Sequence, residues 1–350
     1  MAAVQNVSVI YHSIPNGIPT SENLPIVTNT IVATPPTSGV VLEVLFVSLD
    51  PFLRGKMRSA ETKSYSVAFA SGQPVTGFGI ARVFASDTLI LSKGDIVRSS
   101  SIHFSKYQVV DGAGIAQLEK LDNKDNFPLT RYLGILGMPG LTAFYGLYHV
   151  GGNLRKGETI LVSAATGAVG QVVGQLAKRE GLRVVGTAGS DDKVMYLKEE
   201  LHFDDAWNYH NESAADAIGK YIPEGIDIYF DNVGGELLDA AIENANNFAR
   251  IIACGAISQA GLPPNKRYKY NNVSLIVGKR IKLQGFIVLD VPQNSPEVVE
   301  EFRHKISEFL RKGEIMFKED IVNGIENTAD AFAGIFNGKS FGKTLVQFSD

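Results

Sequence analysis

The segment Thr159-Ile-Leu-Val-Ser-Ala-Ala-Thr-Gly-Ala-Val-Gly-Gln-Val-Val-Gly174 restricts the fold of this chain more than any other. A short apolar run, residues 159–163, enters the turn Ala165-Thr-Gly-Ala-Val-Gly170 and leaves it as a helical stretch, residues 169–179. Ala165 stands at the first glycine of the dinucleotide fingerprint, Gly167 at the second and Gly170 at the third. A glycine at the second place lets the backbone approach a pyrophosphate, and one at the third lets the helix pack closely on the strand. The amides around Gly167, Ala168, Val169 and Gly170 then face the anion, with the helix dipole behind them. A packing turn without a ligand competes for the glycines alone. A strand before the turn, a helix after it and a second strand at the right distance argue for the ligand.

Strand and helix alternate around this turn. Strands are predicted over residues 159–163, 183–187, 226–231, 250–254 and 281–289, with helices over 169–179, 191–201 and 237–245. Such alternation is the mark of a doubly wound parallel sheet. The first third reads differently, with β-rich runs at 40–49, 77–85 and 95–98 separated by Pro, Gly and Ser turns. The tail carries helices at 297–312 and 328–336 and a strand at 343–348. It is expected to return to the β-rich domain, so that residues 1–128, completed by 293–350, form one domain and 129–292 the other. The active site would then lie between them.

The end of the second strand selects between the two nicotinamide dinucleotides. A carboxylate about 20 residues beyond the turn would grip the ribose diol of NAD. Here the strand ends Val185-Gly-Thr-Ala-Gly189 and continues Ser190-Asp-Asp-Lys193. Ser190 or Asp191 can cap the next helix, and Lys193 offers a cation to a ribose phosphate. NADPH is favoured, against the alternative that Lys193 is an ordinary exposed lysine.

Composition removes several function classes. With 33 basic and 37 acidic residues the formal net charge is -4, which gives a nucleic acid no footprint. One cysteine, Cys254, cannot form an intramolecular disulfide and fits a reducing compartment. It ends an apolar strand, where a buried, inert thiol is the default. No leader is legible in Met1-Ala-Ala-Val-Gln-Asn6, and the last residues, Phe348-Ser-Asp350, match no lipidation or peroxisomal signal. The uncharged stretch 132–152 is long enough for a bilayer, but Pro139 and repeated glycines mark it as a buried turn and helix. A cytoplasmic protein is expected, with no membrane and no nucleic-acid partner. Six histidines (His12, His103, His149, His202, His210 and His304) show no metal-ligand spacing, and one cysteine cannot build a four-cysteine zinc site. No Gly-x-Ser-x-Gly elbow is present. Redox chemistry must come from a cofactor that the protein orients. The basic clusters Lys266-Arg-Tyr-Lys-Tyr270 and Lys279-Arg280 read as solvated loops, with an anion contact as the alternative.

Taken together, several motifs are similar to those of the zinc-free branch of the medium-chain dehydrogenase/reductases that includes prostaglandin reductases and plant alkenal double-bond reductases. They are Ser48-Leu-Asp-Pro-Phe-Leu-Arg-Gly55, Gly72-Gln-Pro-Val-Thr-Gly77, Leu136-Gly-Met-Pro-Gly-Leu-Thr-Ala143, the turn at 163–178, Gly189-Ser-Asp-Asp-Lys193, Phe230-Asp-Asn-Val-Gly-Gly235 and Cys254-Gly-Ala-Ile-Ser258. The resemblance implies a GroES-like catalytic domain, an NADPH-binding Rossmann domain and a homodimer. It assigns the pyrophosphate to the turn at Gly167, Ala168, Val169 and Gly170, and the 2′-phosphate to Lys193 and Tyr209. To the rest of the cofactor it assigns Asn232, Cys254, Gly255, Ala256, Ile257 and Ser258, with Gly285, Phe286 and Ile287 as a backbone segment beside the nicotinamide. Ser340 stands where the family has a cofactor-side asparagine. Two further departures are Phe52, in place of a plant tyrosine in the Asp-Pro-x motif, and Ala260, in place of a tyrosine after the Ile-Ser pair.

The implied reaction is NADPH-dependent hydride transfer to the activated C=C bond of an unsaturated aldehyde or ketone. A donor aimed at the developing enolate is the protein's main contribution. With Phe52 lining the pocket in place of a phenol, candidate donors are a cofactor ribose hydroxyl, water, or Tyr65, which reads equally well as a surface turn residue. A quinone reductase on the same fold and a cofactor-binding protein with little catalysis are the alternatives.

Overall fold

The computed structural model describes residues 3–349 in two compact units, 3–133 with 320–349, and Gly134–Glu319. Met1, Ala2 and Asp350, on which part of the reading of the termini falls, lie outside the described residues.

The first unit opens with β1 (Ala3–Tyr11), β2 (Ile26–Val32) and β3 (Val40–Ser48), followed by α1 (Phe52–Lys56), β4 (Gln73–Pro74) and β5 (Thr76–Ser86). It continues with β6 (Ile96–His103), β7 (Tyr107–Val110) and β8 (Glu119–Lys120). β3 does not alternate between core and solvent, as a strand with one face in water would. Val40, Leu42, Val44 and Val47 enter one apolar cluster, while Leu45 joins Ile80, Leu133 and Leu345 in another. A strand covered on both faces needs apolar residues at every position, hence its Val and Leu run. β6 extends well past the expected residue 98, because Ser99, Ser100 and Ser101 give no apolar alternation yet stay in the β5–β6 ladder region.

In the second unit, α2 (Met138–Tyr145) occupies the long uncharged stretch and runs on into a wider π-type turn, Gly146–Gly151. Pro139 sits in the first helical turn, where its missing N–H costs nothing. Gly140 is obligatory, since a Cβ there would collide with the Ile135 backbone carbonyl. No helix among the described residues is long and apolar enough to cross a membrane.

Next come β9 (Thr159–Val162), α3 (Gly170–Arg179), β10 (Arg183–Ala188), α4 (Asp191–Glu199), β11 (Asp205–Asn208), α5 (Ala214–Tyr221) and β12 (Ile226–Asp231). They are followed by α6 (Gly235–Glu243), β13 (Ala245–Ala253), α7 (Leu275–Lys279), β14 (Lys282–Gly285), α8 (Val291–Asn294) and α9 (Pro296–Arg311). All six strands pair in parallel, in the order β11-β10-β9-β12-β13-β14. Successive strands are thus added outward in opposite directions from β9 and from β12, which makes the place between them the switch point of a doubly wound sheet. β11 and α5 had no expectation; four residues, Asp-Ala-Trp-Asn, offer too little apolar pattern to declare a strand. β13 starts five residues before the expected 250, because its register slips between Ile226↔Ala245 and Ile228↔Arg250. Phe248 takes a positive φ of 66° in that irregular stretch, which hides the strand from any alternation rule.

The chain closes in the first unit with β15 (Glu319–Asn323), α10 (Thr328–Phe336) and β16 (Lys343–Gln347), β16 pairing antiparallel with β3. The boundaries differ from 128/129 and 292/293. Residues 293–319 belong to the second unit because α9 buries Val298, Phe302 and Ile306, and the Phe302 ring lies 5.9 Å from that of Phe144 on α2. A 3.6-period helix shows the stripe it buries but not the element that covers it.

Candidate functional site

In the second unit the carboxyl ends of the parallel strands carry most of the candidate residues. At the end of β9, Ala164 takes φ +46°, its carbonyl accepting from the Gly167 amide at 2.9 Å, while the Ala165 amide donates to Thr187 on β10 at 2.8 Å. A Cβ on Gly170 would lie 2.5 Å from the Ala164 oxygen and 2.7 Å from the Ala165 Cα, both backbone atoms that cannot step aside. Without it, α3 closes directly on the turn. The amides of Ala168, Val169 and Gly170 then have no acceptor among the described residues. Three open N–H groups at the positive end of a ten-residue helix make a site for an anion. A Cβ at Gly167 would meet only the Ala164 oxygen, at 3.1 Å, so close packing alone does not require glycine there.

One strand over, β10 ends in Ala188 and no carboxylate follows until Asp191. Tyr209, exposed just past β11, donates its amide to the Ala188 carbonyl at 3.1 Å. A Cβ on Gly189 would lie 2.7 Å from the Tyr209 hydroxyl, so the glycine is what lets the phenol approach the backbone. Lys193, in the first turn of α4, is only 6% exposed, which sets aside its reading as an ordinary surface lysine. Helix capping differs from expectation. Ser190 is the N-cap by position, but its hydroxyl bonds to the Asp192 carboxylate, and Asp191 instead accepts from Asn208 at 2.8 Å and Asn211 at 3.1 Å.

At the switch point, Asn232 is fastened to the end of β9 twice. Its amide donates to the Ser163 hydroxyl at 2.8 Å, and its Nδ2 donates to the Ser163 carbonyl at 2.8 Å. Beneath it the buried Asp231 carboxylate accepts from Tyr229 Oη at 2.7 Å, from the Val233 amide at 3.0 Å and from the Gly234 amide at 2.8 Å. Burial raises the Asp231 carboxyl above its usual range, and the Gly234 amide works against that rise. The Asp231 carbonyl also takes the amides of Cys254 and Gly255, both at 2.9 Å. Asn232 and Val233 take those of Ile257 and Ser258, both at 3.2 Å, while Ala256 packs on Gly234. The segment 254–258 is thus laced to the β12 turn. Desolvation, aided by the nearby Asp231 charge, pushes the Cys254 thiol up to about 12, which makes it a poor nucleophile. Gly285 ends β14, with Phe286 half-buried 5.7 Å from the Tyr145 ring and Ile287 half-buried after it.

The first unit holds the others. Phe52 opens α1 and meets Phe78 edge-on at 6.3 Å. Tyr65 is 61% exposed on a loop that Arg58 shapes by donating to the carbonyls of Gly55, Thr62 and Ser66. Ser340 is half-buried just ahead of β16, which begins with Lys343. Lys343 Nζ donates to the Leu49 carbonyl at 2.8 Å and pairs with Asp50 at 2.9 Å, both side chains being almost fully buried. The basic run around Lys266 is exposed, as a solvated loop should be. Its Tyr268 hydroxyl and the following Asn271 and Asn272 amides are anchored on buried Asp239.

Sequence reading missed Ser163, Asp231, Asp239 and the Asp50–Lys343 pair. Asp231 could have been found from its place immediately before Asn232 in a glycine-rich turn. Lys343 and Asp50 are 293 residues apart and carry no local signal. Among the described residues, no group of three or more His, Cys, Asp or Glu could hold a metal ion.

Residues 8–118 match the family described as N-terminal domain of oxidoreductase, and residues 168–304 the family described as Zinc-binding dehydrogenase. A tobacco (Nicotiana tabacum) protein named 2-alkenal reductase (NADP(+)-dependent) is 40% identical over 349 residues, covering 99% of this chain and 98% of its own. An Escherichia coli protein named NADPH-dependent curcumin reductase is 37% identical, covering 95% and 94%. The crystal structure of CurA in complex with NADPH from Vibrio vulnificus superposes with a TM-score of 0.88 at 34% identity, covering 98% and 99%.

Proposed function

We propose, since the chain belongs to the zinc-independent medium-chain dehydrogenase/reductase family and to its alkenal-reductase branch, that it reduces the activated C=C bond of α,β-unsaturated aldehydes and ketones with NADPH. When bound, NADPH supplies the hydride for the β-carbon. The observation that carries the cofactor reading is the β9–α3 turn, with three amides open at a helix N-terminus and no Cβ at Gly167 or Gly170. Those amides bind the pyrophosphate. Lys193 and Tyr209, gathered at the end of β10 where a diol-binding carboxylate is missing, hold the 2′-phosphate. Asn232, the 254–258 segment and the Gly285, Phe286 and Ile287 backbone seat the nicotinamide half, and the lacing through Asp231 fixes their spacing before the cofactor arrives.

The test follows NADPH oxidation with an alkenal, an enone, a quinone and a saturated aldehyde. Turnover of alkenal and enone with recovery of the saturated carbonyl is expected. Turnover of the quinone alone would replace this reading by a quinone reductase, and binding without turnover by a cofactor-binding protein. Lys193→Ala should raise the Kd for NADPH by about 10- to 100-fold, the worth of one hydrogen-bonded charge contact, and leave NADH nearly unchanged. Equal losses for both cofactors would remove Lys193 from the phosphate site.

We also assign a homodimer in the cytoplasm. β14 is an edge strand whose four residues are all exposed, leaving backbone groups open to the same strand of a second copy. A single cysteine fits a reducing compartment. Light scattering that returned the monomer mass of 37.8 kDa at micromolar concentration would contradict the dimer.

A further inference from the structure

Gln171 and Gln175, four residues apart on α3, are 0% and 8% exposed, nearly as buried as the valines and leucine of the same helix. A buried amide is costly unless both its donor and its acceptor are used. Both are used here, on a single target. Gln171 Nε2 donates to the Lys318 carbonyl at 3.1 Å, and its Oε1 accepts from the Lys318 amide at 2.7 Å. Gln175 does the same with Met316, at 2.8 Å in each direction, and its Nε2 also donates to the Gln171 carbonyl at 2.8 Å. Residues 316–318 belong to no helix or sheet. Two side chains thus stand in for a neighbouring strand, pairing with alternate residues along one edge of the segment. Phe317, between them, is buried against Gly134, where a Cβ would overlap its ring. The Lys318 ammonium lies 5.4 Å over the Tyr196 ring of α4.

The clasp adjoins the open amides. Gln171 directly follows Gly170, the last of the three residues whose N–H groups lack an acceptor, and its own amide donates to the Gly167 carbonyl at 3.1 Å. Close packing of Gly170 on Ala164 and Ala165 holds the turn on one side, and the Gln171 side chain ties it to residue 318. Gln175 grips the same segment about one turn, roughly 5.4 Å, further from the open amides.

We infer that Gln171 is a positioning residue for the cofactor pyrophosphate, through which NADPH binding and the ordering of residues 316–318 favour one another; this rests on the assignment of the pyrophosphate to the β9–α3 turn made above. The clasped segment holds the first turn of α3 in the geometry that aims its amides at an anion, so less freedom is lost when the cofactor binds. Linkage makes the effect reciprocal. If an ordered segment raises affinity at the turn, a filled turn must order the segment by the same factor. Residues 316–318 lie just before β15, where the chain returns to the first unit, so the state of the phosphate turn is carried to the end of the second.

Gln171→Met and Gln175→Met keep the length of each side chain and remove its hydrogen bonds. Each is compared with the wild type in the full-length protein by fluorescence titration with NADPH and NADH, by melting temperature, and by amide hydrogen exchange at Met316 and Lys318 with and without NADPH. Gln171→Met should raise both Kd values by one common factor of about 3- to 10-fold, the net worth of a hydrogen bond, because both cofactors carry the pyrophosphate. Lys193→Ala, by contrast, acts on NADPH alone. Gln175→Met should melt lower by a similar amount yet bind both cofactors within about twofold of the wild type, its clasp being a turn further along the helix. Saturating NADPH should slow exchange at Met316 and Lys318 in the wild type by about the same 3- to 10-fold, and have no such effect in Gln171→Met. Equal affinity losses in the two variants would overturn the inference, as would a loss confined to NADPH or wild-type exchange that NADPH leaves unchanged. The wild-type exchange measurement decides even where a variant fails to fold. A wild type that holds no nicotinamide nucleotide, or whose affinity survives intact in Gly167→Ala, would overturn the phosphate assignment, and this inference with it.

Discussion

Lys343→Met should lower the melting temperature by roughly 6–20 °C, because it strands a carboxylate in the interior. Asp50 and Lys343 are 4% and 2% exposed as side chains, and the Ser48 hydroxyl donates to the second Asp50 oxygen at 2.6 Å. Removing one partner of such a pair costs about 3–5 kcal/mol. At about 2–4 °C per kcal/mol for a unit of this size, the shift should be plain by calorimetry. The double variant Asp50→Leu/Lys343→Met carries no stranded charge and should recover most of the loss, since apolar replacements of buried pairs are often neutral. Its kinetics should still suffer. The pair ties the start of β16, just past Ser340, to the turn that leads into Phe52 and Lys56, and two apolar side chains do not specify that register. A single variant as stable as the wild type would mean that water reaches Asp50 freely.

Gly170→Ala and Gly167→Ala should separate packing from ligand binding within one turn. The Gly170 Cβ has nowhere to go, so α3 must lift from the backbone of Ala164 and Ala165. Overpacking of this kind costs about 1–3 kcal/mol, and the displaced amides should raise the NADPH Kd by about 100-fold, the equivalent of some 2.7 kcal/mol. Gly167 has room for a methyl group by comparison, so Gly167→Ala should melt within about 2 °C of the wild type, as expected of a change near ±0.5 kcal/mol. It should nevertheless bind NADPH about tenfold more weakly, because the methyl group stands where the pyrophosphate approaches. Titration of each variant by NADPH fluorescence, beside calorimetry, checks both. Equal NADPH affinity in Gly167→Ala and the wild type would remove the phosphate from that turn.

The edge strand β11 and the irregular start of β13 show where local pattern fails. Both are strands because neighbours supply hydrogen-bond partners, and neither has the alternation or apolar run that announces a strand alone. Ser190 is a similar case: a serine before a helix reads as a side-chain cap, yet its hydroxyl is taken by Asp192 two residues on. Lys193 was legible as a residue of interest from its spacing, while its burial was not, since burial depends on what covers α4.

What the sequence alone determined is whatever depends on residues close in the chain. The strand–turn–helix from Thr159 onward, the absence of a carboxylate at Gly189, the helix at Thr328–Phe336 and the strand at Ile226–Asp231 follow from spacing, propensity and turn geometry within a few residues. Tertiary structure decided what depends on distant partners. It set the lacing of Asn232 to Ser163, the Asp231 carbonyl that takes the amides of Cys254 and Gly255, the Asp50–Lys343 pair and the place of Lys56 over Phe69. The physical reason is that desolvation and hydrogen-bond satisfaction are properties of a place in the folded chain, and a place is built from residues tens to hundreds of positions apart.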